Sequence, residues 1–60
     1  MTVRQLFYAC ENFQYDNIVT IVDANNKVLY ESTFMNVLTT VYAEYKVRFF
    51  NCETMYIEVL

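Results

Sequence analysis

The chain has 60 residues, four basic against seven acidic, a net charge of −3, two cysteines, and no histidine, glycine, proline or tryptophan. These counts exclude several classes. There is no glycine for a phosphate-cradling loop and no proline for a docking linker. The commonest general base and metal ligand is missing, and an acidic balance argues against a phosphate-backbone binder.

One domain over residues 1–60 is expected. A chain this short buries only about 60% of the surface its unfolded form exposes, so disulfides, a metal or association usually assist it. Cys10 and Cys52 allow one bridge, but one pair is far below the density of a stapled secreted scaffold. The plainer reading is two reduced thiols, which leaves association. The opening "MTVRQLFYACENF" lacks a basic segment followed by a long apolar core, so no signal peptide is expected. No apolar run approaches the roughly 18 residues of a membrane span. A soluble, intracellular chain follows as an expectation.

In chain order, Thr2 with Gln5 forms a capping box ahead of the stripe Val3, Leu6, Phe7 and Cys10, continued loosely by Phe13. A helix from Val3 to Asn12 is predicted. "NFQYDN" comes next as a connection. Asn17–Asp23 and Lys27–Ser32 are rich in Val, Ile and Tyr and read as two strands. Asn25-Asn26 between them suits a type I′ turn, because asparagine tolerates positive φ.

Ser32 or Thr33 can cap a second helix over Phe34–Tyr45, with the stripe Phe34, Val37, Leu38, Val41 and Tyr45. Part of "NVLTTVY" also fits a strand. The tail "KVRFFNCETMYIEVL" reads as a second hairpin, Val47–Phe50 and Met55–Val59 around "NCET", or else as one long bent strand. The fold class is α+β, in the order α-β-β-α-β-β, a small antiparallel sheet with two helices packed on one face. The two halves echo each other in architecture without matching residue by residue.

The strands hold the main clue. Pairing across Asn25-Asn26 sets Val22 opposite Leu29 and Ile21 opposite Tyr30. One face then carries Val19, Ile21, Val28 and Tyr30, and the other Ile18, Val22 and Leu29, diluted by Thr20 and Glu31. Pairing across "NCET" sets Phe50 opposite Met55 and Phe49 opposite Tyr56, with Val47, Phe49, Tyr56 and Leu60 sharing a face. Antiparallel sheets with one wet face normally alternate apolar and polar, and neither hairpin does so cleanly. Two three-turn helices cover one face of such a sheet, not both. The surplus defines a candidate interface of Val22, Leu29, Tyr30, Phe49, Tyr56 and Leu60, for which the expected partner is a second copy of the chain. Six tyrosines point the same way, since tyrosine brings area and a polar tip to interfaces at low entropy cost.

Chemistry has little to work with. Cys10 sits in a helical stripe. Cys52 neighbours the acidic Glu53 in a turn, without the basic surroundings of a reactive cysteine. No paired acids are evident. We therefore expect no enzyme, no catalytic residue, no metal and no cofactor. Exposed Phe49 and Tyr56 could stack single-stranded bases, but only Arg48 lies near to hold a backbone.

"MTVRQL" and "VTIVDANNKVLYES" give the chain a texture that resembles the small orphan proteins of bacteriophages and prophages. That resemblance implies an anti-defence, anti-CRISPR-like inhibitor, a small homodimer that binds a host immune protein in the bacterial cytoplasm by stoichiometric contact. It carries no site residue over. The alternatives are a structural or regulatory subunit of a larger complex and, third, a single-stranded nucleic-acid binder.

Overall fold

The computed structural model describes residues 1–10, 14 and 16–60. Its elements are α1 (Val3–Ala9), β1 (Ile18–Val22), β2 (Val28–Thr33), α2 (Phe34–Leu38), a 3-10 turn (Val41–Glu44), β3 (Val47–Asn51) and β4 (Tyr56–Val59). The four strands form one sheet in the order β2-β1-β4-β3. Both hairpins are antiparallel, but their inner strands, β1 and β4, pair in parallel. The class is α+β as expected, and the sheet is mixed where an antiparallel one was expected. Residue periodicity defines strands; it does not say which strands of separate hairpins meet, or in which direction.

The start of α1 is the capping box that Thr2 and Gln5 imply. The Thr2 hydroxyl accepts from the Gln5 amide at 3.1 Å, and Gln5 Oε1 accepts from the Thr2 amide at 2.8 Å. The helix ends at Ala9, and Cys10 caps it in an extended conformation, half-buried rather than fully in the core. The predicted extension to Asn12 and the stripe position Phe13 lie outside the described residues.

The second predicted helix is broken. It runs only Phe34–Leu38, capped by Thr33, whose hydroxyl accepts from the Asn36 amide at 3.3 Å. Then the Thr39 and Thr40 hydroxyls donate to the Asn36 and Val37 carbonyls, each at 2.7 Å. Those side chains satisfy the carbonyls a continuing helix would use, which is how threonine competes with helix propagation. Thr40 next caps the 3-10 turn by accepting from the Tyr42 amide at 3.3 Å.

Both edge strands carry a bulge, and neither bulge was expected. In the first hairpin Ile21 opposes Tyr30 as predicted, but Val22 opposes Val28, not Leu29. The turn explains this. Asn26 has positive φ and Asn25 does not, so the turn is not type I′. Instead Asp23 Oδ1 accepts from the amides of Asn25 at 2.8 Å and Lys27 at 3.0 Å, and the extra residue appears at Leu29. In the second hairpin Phe49 opposes Glu58, Phe50 opposes Ile57 and Asn51 opposes Tyr56. The loop therefore spans residues 52–55, one residue later than predicted, the partner of Phe50 moves two residues along the second strand, from Met55 to Ile57, and Met55 takes positive φ. A bulge near Arg48 then sets Val47 opposite Val59.

The core lies on one face. Val3 and Phe7 of α1, Phe34 and Val37 of α2, Val19 and Ile21 of β1 and Ile57 and Val59 of β4 form a single buried cluster. The Phe7 and Phe34 rings meet with centroids 4.0 Å apart. Arg4 pins α1 to the later segment: its guanidinium donates to Glu44 at 2.8 Å and to the Leu38 carbonyl at 3.2 Å. The Glu44 carboxylate, and after it the Tyr8 hydroxyl, raise the Arg4 pKa above its ordinary value.

Candidate protein-interaction surface

Alternation along the strands assigns the opposite face. Val19, Ile21, Ile57 and Val59 point to the helices, so Ile18, Thr20, Val22, Tyr56 and Glu58 point away, with their partners Thr33, Glu31, Val28, Asn51 and Phe49. The pairing draws two rows straight across the sheet. One reads Val28, Val22, Glu58, Phe49; the other reads Glu31, Thr20, Tyr56, Asn51.

This open face is mixed in chemistry. Its apolar members Ile18, Val28 and Phe49 are 56%, 54% and 54% exposed, and Leu60, just beyond β4 on the same alternation, is 73% exposed. Its polar members are paired among themselves. The Thr20 hydroxyl donates to Glu31 at 2.8 Å, and Arg48 meets Glu58 at 3.3 Å. The Tyr56 hydroxyl donates to Asn26 Oδ1 at 2.7 Å. This bond ties β4 to the first hairpin turn on the side of the sheet to which alternation assigns Val22, which is 0% exposed.

The six candidate interface residues therefore divide. Phe49 and Leu60 are exposed on the open side, and Tyr56 is half-buried there. Val22 is on that face but buried. Leu29 and Tyr30 are not part of the surface. The bulge turns Leu29 toward the helices, where both residues pack half-buried against the core, and Tyr30 stacks on Tyr42 at 5.5 Å. Simple pairing across Asn25-Asn26 puts Ile18 on the open face and Val28 on the other. Only the bulge, invisible in the strand pattern, exchanges Val28 with Leu29.

A second group of exposed apolar residues, Tyr8, Met35, Val41 and Tyr45, lies on the helical elements or just beyond them. Tyr45 contacts Tyr42 edge-on at 5.1 Å. Among the described residues, no pocket opens and no three His, Cys, Asp or Glu side chains gather as metal ligands. Cys10 and Cys52 are free thiols. No described helix is long and apolar enough to cross a membrane.

The fold and surface together define a small α+β domain in which, among the described residues, helices cover one sheet face and leave the other open. Comparison with protein families, with curated proteins and with solved structures gives no match.

Proposed function

We propose that this chain is a non-catalytic protein-binding protein that works as a homodimer. On the texture of "MTVRQL" and "VTIVDANNKVLYES", we further propose a phage-type inhibitor that binds a host immune protein stoichiometrically in the bacterial cytoplasm. The observation that carries the binding reading is the open sheet face, where Ile18, Val28, Phe49 and Leu60 are each more than half exposed. These side chains stand apart on a mixed face, and each adds apolar area that association would bury. Burying one large side chain is worth roughly 1.5–3 kcal/mol, a large fraction of the stability of so small a domain. The helical side, with exposed Tyr8, Val41 and Tyr45, is left for the target.

Light scattering at micromolar concentration tests the first part. The expected mass is twice the 7.2 kDa of the chain, and a single-chain mass overturns it. Capture from host cells on tagged protein tests the second. A host immune effector, lost on Val41→Asp but kept on Phe49→Asp, supports the inhibitor reading. A phage structural protein in its place makes the chain a subunit of a larger assembly.

A further inference from the structure

The charges on the open face bear on how two copies of the sheet would pair. Its two edges differ in charge: β2 presents Glu31, which accepts from Thr20, and β3 presents Arg48, which is 58% exposed while its partner Glu58 is 19% exposed. The same edges end one cross-strand row in apolar side chains, Val28 on β2 and Phe49 on β3. Identical chains close into a dimer about a two-fold axis, and two sheets packed face to face keep their strands within about 30° of each other. A dyad across the strands lays β2 over β2 and β3 over β3 with the strands reversed, which keeps Glu31 of one copy a sheet's width from Arg48 of the other. A dyad along the strands, between β1 and β4, lays β2 of one copy over β3 of the other.

We propose that the homodimer forms by this second arrangement, which rests on the dimer reading above. Val28 of each copy meets Phe49 of the other, and Glu31 of each reaches Arg48 of the other. Glu31 belongs to the row through Tyr56 and Asn51, and Arg48 sits next to Phe49 in the neighbouring row. The offset along the strands is therefore about three residues, or roughly 10 Å at 3.3 Å each, a gap that an arginine and a glutamate span together. The Arg48–Glu58 pair holds the guanidinium up on this face, and half-exposed as it is, it keeps donors free for a second carboxylate.

The pairing is crossed, so charge exchange reads it directly. In E31R both contacts become arginine on arginine, and in R48E both become carboxylate on carboxylate. Each variant alone is expected to weaken the dimer about tenfold or more and to run as a monomer where wild type is dimeric. An equimolar mixture of the two restores opposite charges at both contacts and is expected to form a heterodimer. E31R/R48E is expected to dimerise alone. A wild-type dimer whose single variants still dimerise, or whose mixture and double variant both stay monomeric, overturns this arrangement and leaves the homodimer intact. A monomeric wild type overturns both. Native mass spectrometry of tagged and untagged variants reads all these species.

Discussion

Single residues hold this fold at points where glycine would ordinarily serve. Asn26 and Met55 both adopt positive φ, at 64° and 54°, in a chain with no glycine. Asparagine visits that region readily; methionine has no such licence and bears a cost of roughly 1–2 kcal/mol. Asn26 also accepts the Tyr56 hydroxyl at 2.7 Å, so two variants that break this bond should behave differently. Tyr56→Phe loses one hydrogen bond, worth about 1 kcal/mol, and should lower the urea midpoint at fixed protein concentration. Asn26→Gly loses the same bond but relaxes the backbone, and its midpoint should fall by less. An equal fall in both would mean that Asn26 is not strained. At the neighbouring position, Asp23 accepts from two amides. Asp23→Ala should cost about 1–2 kcal/mol and broaden the amide resonances of residues 24–27.

At the level of elements, the sequence is legible where side chains act on their immediate neighbours. The Thr2 and Gln5 capping box is present as spelled out, and Thr33 caps α2. A seven-residue helix has little stability of its own, so Thr2→Ala should cost about 1 kcal/mol in thermal unfolding, with a smaller loss for Gln5→Ala. The stripe from Phe34 to Tyr45 keeps its period across Thr39 and Thr40, and periodicity does not register a threonine that turns its hydroxyl onto the carbonyls behind it. Replacing both threonines by alanine removes that competition. Helical signal in the far-ultraviolet should rise while the melting temperature falls, because Thr40 also caps the turn that holds Ala43 in the core. The bulges are the deeper loss. Each inserts one residue on an edge strand, where bulges blunt unwanted pairing. Each also exchanges the faces of the residues on its outer side, moving Val28 outward and Leu29 and Val47 inward. That is why the open face keeps Phe49, Tyr56 and Leu60 of the candidate surface and loses Leu29. Tyr30 stays on the core side with its partner Ile21.

For the molecule as a whole, the decisive contact is one that no local pattern contains, the parallel pairing of β1 with β4. These strands are first in one hairpin and second in the other, so the echo between the halves does not become an internal two-fold axis. The two faces of the sheet are thus stabilised differently. Ile57, fully buried at the centre of the core face, should lose about 2–5 kcal/mol on replacement by alanine. That is comparable with the entire stability of a 60-residue domain, roughly 3–9 kcal/mol. Phe49, on the open face, should matter chiefly through association. A dimer that unfolds to separate chains has a melting temperature that depends on concentration. With about 2.1 cal/mol/K per residue over both chains, each tenfold rise in concentration should lift the wild-type midpoint by roughly 5 °C. In Phe49→Asp the slope should vanish while the monomer still melts cooperatively. A wild-type midpoint indifferent to concentration over three decades would place all the stability inside one subunit, on the helical side of its sheet.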